Sequence, residues 1–164
     1  MGANPKARLA NLRLMIFDVD GVITDGRVYH GPDGAEWRSS HVRDGLGLKL
    51  LREAGIQTAV ISGRPAGGLE ERLIRLGVTH RFFGRDDKLP LFEALLAELE
   101  LPASAAGMMG DDTPDLPLFA AAGAAFCPAD AHARVQAAAD WIAPSRGGHG
   151  AVREVADLIL EARA

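Results

Sequence analysis

A chain of 164 residues has room for one hydrophobic core without staples, and too little for a catalytic domain plus a second full-sized one. With 18 Lys and Arg against 22 Asp and Glu the formal charge is −4, and aromatic residues make up only 5%. That balance excludes a basic footprint or a stacking platform for nucleic acid and an attraction to anionic membranes, and the lone cysteine, Cys127, excludes an internal disulfide or a multi-cysteine zinc site.

Residues 1–17 carry Lys6, Arg8 and Arg13 and no long apolar core, so no signal peptide is expected, and no apolar run reaches bilayer-spanning length. The expectation is a soluble intracellular protein. Leu12–Phe17 is a short apolar run that reads as a buried strand. Arg27–His30, the turn Gly31-Pro32-Asp33-Gly34, and Ala35–Ser39 read as a β-hairpin. Leu46–Ala54 reads as a helix closed by Gly55, and Leu69–Leu76 as one closed by Gly77. Ile56–Ile61 and Val78–Phe83 are further strands. Leu89–Leu99 has helical spacing behind the capping candidates Asp86 and Asp87. Strands at Ala105–Met109, Ala124–Cys127 and Trp141–Ala143 and helices at Ala133–Ala139 and Val152–Arg163 complete the series. Alternating strands and helices imply an α/β, Rossmann-like three-layer sandwich. It has a mainly parallel sheet, one domain over residues 1–164, and a protruding hairpin near residues 27–39.

In such a sheet, ligands bind beyond the carboxyl ends of the strands. After the first strand comes Asp18-Val19-Asp20-Gly21-Val22, and after the second Ser62-Gly63-Arg64. Lys88 lies past the third, and Gly110-Asp111-Asp112-Thr113-Pro114-Asp115 follows the fourth. Asp18, Asp20 and Asp111 brought together repel one another unless a cation sits among them, and an all-oxygen donor set suits Mg2+. Ser62 and Lys88 can hold the oxygens of a phosphate drawn to that cation, and Gly63 lets the backbone come close. Asp18, at the strand end, is the natural nucleophile toward phosphorus. Asp20 can protonate the leaving alcohol and then deprotonate the hydrolytic water.

The run from Asp18 to Gly26, together with Ser62-Gly63-Arg64, Lys88 and Gly110–Asp115, resembles the four ordered motifs of the haloacid dehalogenase-like phosphatases over nearly the whole chain. The hairpin, His41-Val42-Arg43-Asp44-Gly45 and the tail from Arg146 to Glu154 narrow the resemblance to the 3-deoxy-D-manno-octulosonate 8-phosphate phosphatases. That resemblance implies a capless cytoplasmic Mg2+-dependent phosphomonoesterase of lipopolysaccharide precursor synthesis, assembled as a homotetramer through its hairpins. It also implies a metal held by Asp18, Asp111 and the Asp20 carbonyl, with Asp112 or Asp115 in support. Arg64 is expected to pair with the sugar's carboxylate, and Arg146 and His149 in the tail to reach the substrate. The chain departs from the family pattern at His149, where the family usually carries Arg, and at Ser62, commonly Thr.

Only 41 residues separate Asp20 from Ser62 and 25 separate Ser62 from Lys88, so no cap domain fits either gap. A wall for the site is expected from a neighbouring subunit, with Val28, Tyr29 and Trp37 of the hairpin as contacts. Two rival readings remain open: a phosphatase of a nine-carbon sugar acid 9-phosphate, and a non-catalytic interaction domain on the same fold.

Overall fold

Leu14–Phe17 (β1) is apolar at every position, and such a run is stable only where both of its faces are covered. It lies inside a sheet of six parallel strands. The others are Gln57–Ile61 (β4), His80–Phe82 (β5), Ala106–Met109 (β6), Ala124–Cys127 (β7) and Trp141–Ile142 (β8), in the order β5-β4-β1-β6-β7-β8. The computed structural model describes residues 5–164, and the first four residues of the stretch read above for a leader lie outside the described residues. Among the described residues, no helix is long and apolar enough to cross a membrane.

Alternate residues of each strand serve opposite cores. Met15, Phe17, Val60, Met109 and Phe126 face one side, packed under Val42–Glu53 (α2), Leu69–Arg75 (α3) and Ala151–Arg163 (α7). Leu14, Ile16, Ala59, Ile61 and Met108 face the other, under Lys88–Glu98 (α4), Leu116–Ala121 (α5) and Ala133–Ala138 (α6). The order of the strands reverses beside β1: the chain moves outward through β4 and β5, then returns to the far side of β1 at β6. The crevice beyond the carboxyl ends of β1 and β6 is therefore the topological switch point.

The expected strands and helices are all present, with shifted ends. Leu12 does not open β1 because its N–H closes onto Leu9 O at the end of a short first helix, Pro5–Ala10 (α1). The ladder begins with Arg13, which donates to Ala105 O. α2 starts at Val42, four residues before the apolar pattern becomes visible, capped by the His41 ring, which accepts from Arg43 N. Gly45 and Gly47 interrupt the apolar period there. They are needed for packing: a Cβ on Gly47 would lie 3.0 Å from Arg153 Cα, so glycine lets α2 and α7 approach. Asp44 of α2, 1% exposed, ties that contact by accepting from Gly150 N and Arg153 N at the start of α7.

The hairpin is Tyr29–His30 (β2) paired with Glu36–Trp37 (β3), antiparallel. Its turn is closed by Gly31 N to Ala35 O, with Gly34 at φ 79°. An antiparallel bridge between Thr24 and Ser40 draws its base together beside the crevice.

Candidate active site

Asp18 directly follows β1, its N–H donating to Met109 O of β6, and the chain then turns sharply. Asp20 is extended and Gly21 left-handed at φ 86°. Thr24, fully buried, stitches the turn by accepting from Gly21 N and Gly26 N and donating to Val19 O. A Cβ on Gly21 would lie 2.0 Å from Asp111 Oδ2, so only glycine lets this turn pass against the Asp111 carboxylate.

Three carboxylates, Asp18, Asp111 and Asp115, bring oxygens within 4.8 Å of one another. Lys88, at the start of α4 and 7% exposed, reaches into them: its Nζ lies 2.9 Å from Asp18 Oδ1 and 2.7 Å from Asp115 Oδ1. The second oxygen of Asp115 accepts from the N–H groups of Asp111 and Asp112 at 3.0 and 3.4 Å, which fixes the loop after β6. Asp112 caps that loop through Thr113 N at 2.7 Å. Of the two residues proposed to support a metal, Asp115 sits in the cluster, whereas Asp112 lies at its rim.

The electrostatics follow from burial. Desolvation, then the charge of Asp115, pushes the Asp18 carboxyl up to about 6 against the opposing pull of Lys88. Desolvation, with the charges of Asp18 and Asp115, pushes Asp111 up to about 8. Burial works to lower the Lys88 ammonium, but the charges of Asp18 and Asp115 outweigh it and hold its pKa above the usual lysine range. One cation among this many carboxyl groups leaves negative charge uncompensated. The all-oxygen donor set, and the space glycine preserves beside Asp111, fit a hard divalent ion.

Ser62, at the end of β4, is 1% exposed overall, and its Oγ accepts from Arg64 N at 3.2 Å. Ser62, Gly63, Arg64, Asp86 and Lys88 line one cavity of about 300 Å3 with Asp18, Asp20, Asp111, Asp112 and Asp115. All four sequence stations thus converge. Arg64 lies at the rim, paired with Glu36 of the hairpin at 2.9 Å. The tail is the exception. Gly148 N donates to Val22 O, and a Cβ on Gly147 would lie 1.8 Å from Gly21 O, so the tail packs on the outside of the Asp20 turn. Arg146 and His149 line a separate small cavity with Asp25, Arg27 and Asp130, where Arg146 pairs with Asp130 at 3.1 Å.

Two residues escaped the sequence reading. Glu36 in β3 and Arg38 just past it share one side of the hairpin and turn toward the site, Glu36 onto Arg64 at the rim and Arg38 onto Asp20. Their shared face, two residues apart with opposite charge, was the available signal.

A buried aspartate just past a strand, a second one two residues on, a hydroxyl, a buried lysine and an acidic loop line one cavity on a Rossmann-like sheet, an arrangement suited to the phosphoryl-transfer class of hydrolase. Residues 85–155 match the family model of the haloacid dehalogenase-like hydrolases. The 3-deoxy-D-manno-octulosonate 8-phosphate phosphatase of Yersinia pestis is 44% identical over 156 residues, 95% of this chain and 83% of the relative. The Haemophilus influenzae enzyme of the same name is 42% identical over 156 residues, 95% and 87% of the two chains. A crystal structure of the Moraxella catarrhalis phosphatase in complex with magnesium ion, phosphate ion and a KDO molecule superposes with a TM-score of 0.94 at 36% identity, covering 96% of this chain and 91% of that one. The chain belongs to the haloacid dehalogenase-like hydrolases, in the family of the 3-deoxy-D-manno-octulosonate 8-phosphate phosphatases.

Proposed function

We propose that the protein is a Mg2+-dependent phosphomonoesterase that releases phosphate from 3-deoxy-D-manno-octulosonate 8-phosphate. The observation that carries the proposal is the convergence of Asp18, Asp20, Ser62, Lys88 and Asp111 on one cavity in a chain this similar to those phosphatases. Asp18, Asp111 and the Asp20 carbonyl would hold Mg2+, with Asp115 in support, and the ion when bound supplies positive charge to the phosphate oxygens. Lys88 and the Ser62 hydroxyl bind the remaining oxygens, and Gly63 leaves room for them. Asp18 attacks phosphorus, and the bond from phosphorus to the sugar oxygen breaks. Asp20 gives that oxygen its proton. Water then attacks the aspartyl phosphate, Asp20 takes the water's proton, and phosphate leaves with Asp18 restored.

Arg64 at the rim offers a guanidinium to the sugar's carboxylate, which favours the eight-carbon acid. Arg146 and His149 contact substrate in this reading only from the outer side of the Asp20 turn. The same reading makes residues 1–164 one capless domain working in the cytoplasm within a homotetramer. Exposure of Tyr29 and Trp37 on the hairpin and of Val42 and Leu46 on α2 supports assembly through that face. Phosphate release from a panel of sugar phosphates, with Mg2+ and with chelator, tests the proposal. The eight-carbon acid 8-phosphate should be turned over well above the nine-carbon acid 9-phosphates, and only with Mg2+. Preference for a nine-carbon acid would replace the substrate, and no release from any member would revive the non-catalytic reading.

A further inference from the structure

Arg38 follows β3 at the base of the hairpin, yet its side chain is only 5% exposed, unusual for an arginine. Its Nη1 donates to both oxygens of Asp20, at 3.1 and 3.2 Å, and its Nη2 to Pro65 O and Ala66 O at 2.8 and 2.6 Å. One planar fork thus joins three segments that chain order keeps apart: the hairpin, the turn after β1, and the loop after β4 that carries Ser62 and Arg64. The other cation near Asp20, Arg64, is 4.0 Å away, 44% exposed and engaged by Glu36. It cannot fix the orientation of the Asp20 carboxylate as a buried, four-contact guanidinium does.

We propose that Arg38 is the positioning residue for Asp20, and that the hairpin is therefore part of the active site of its own chain. The inference rests on the reading of Asp20 as the proton donor to the leaving oxygen. Arg38 holds the carboxylate at the cavity wall, in register with the loop after β4 whose carbonyls it also holds, and it is not itself among the residues lining the cavity. A proton donor displaced by a fraction of an ångström fails at the transition state while substrate binding is spared.

The test compares kcat/KM for 3-deoxy-D-manno-octulosonate 8-phosphate, whose alkoxide must be protonated, with that for p-nitrophenyl phosphate, whose phenolate leaves unaided. Wild type, Asp20→Asn, Arg38→Met and Arg38→Lys are measured with Mg2+. Asp20→Asn should lower the sugar-to-nitrophenyl ratio about 100-fold. Arg38→Met should lower it at least about 10-fold, through kcat with KM little changed. Arg38→Lys keeps the charge but not the fork, and should fall between Arg38→Met and wild type. A simple loss of folded protein lowers both substrates equally. If Asp20→Asn leaves the ratio unchanged, the acid reading of Asp20 falls. If Asp20→Asn lowers the ratio and the Arg38 variants do not, the positioning role of Arg38 is overturned. Should Arg38→Met fail to fold, the Arg38→Lys ratio decides alone, and a wild-type value refutes the proposal.

Discussion

Lys88→Met removes the cation buried between Asp18 and Asp115 and keeps a side chain of similar length. The ammonium lies 2.9 Å from Asp18 and 2.7 Å from Asp115. At an effective dielectric of ~20 each attraction is worth on the order of 6 kcal/mol gross, most of it offset by the cost of burying the ions. Taking away the cation alone forfeits both attractions and leaves the burial cost, which for a broken buried pair amounts to about 3–5 kcal/mol. Against the ~5–15 kcal/mol that holds a typical domain together, that is a large share, and it corresponds to a fall in Tm of about 6–20 °C. The loss should depend on pH. Asp18 is already pushed up to about 6 with Lys88 opposing the rise, so the variant's Asp18 takes up a proton still more readily. Protonation relieves the unpaired charge, and the gap between variant and wild type should narrow at pH 5.5 and widen at pH 8. Urea unfolding of both proteins in chelator at the two pH values measures it. A loss below about 1 kcal/mol, or one equal at both pH values, would refute the reasoning.

Other consequences follow from the same geometry. Gly21→Ala places a methyl group at φ 86° and 2.0 Å from Asp111 Oδ2. It should cost about 1–2 kcal/mol of stability from backbone strain and about 100-fold in activity by displacing the carboxylate. Thermal melts and phosphate release read the two effects separately. The raised pKa values also fix the sign of a metal effect. Asp18, up to about 6, and Asp111, up to about 8, bind protons in the metal-free fold that the unfolded chain, near 3.8, has already lost. Their contribution to metal-free stability therefore falls as pH rises from about 4 to about 8. Mg2+ must displace these protons, so at pH 7 its binding should release close to one proton and tighten as pH rises toward 8. Calorimetry in two buffers of different ionisation enthalpy checks this, and binding without proton release would count against Asp111 as a ligand.

The sheet and the four stations were legible from local patterns. Most strands of the sheet lie in short apolar runs, and the reversal of strand order turns four stretches far apart in sequence into one cavity. The start of α2 was hidden because Gly45, packed against Arg72 and Leu76, and Gly47, which lets α7 approach, erase the apolar period that marks a helix. Asp115 was expected only as an alternative to Asp112 in support of a metal. In the structure it fixes the loop and pairs with Lys88 at once, a double role only the fold could reveal. Arg38 lay within the expected hairpin, with no role assigned to it. Its burial depends on where the hairpin folds back, and the Thr24–Ser40 bridge that ties the hairpin's base to the turn after β1 is a long-range pairing that local pattern does not show. Arg146 and His149 were expected to reach the substrate from the family resemblance of the tail, which also carries Gly147 and Gly148. Those glycines instead let the tail lie flat against the outside of the Asp20 turn.

The central claim is that Asp18 carries the phosphoryl group. Acid-quenched single turnover of 3-deoxy-D-manno-octulosonate 8-phosphate with Mg2+, followed by peptide mapping, tests it most directly. The account predicts a transient phosphoryl group on the peptide containing Asp18, absent from Asp18→Asn, which should fold like wild type and release no phosphate. Undiminished phosphate release by pure Asp18→Asn, or a phosphoryl group on any other residue, would contradict it.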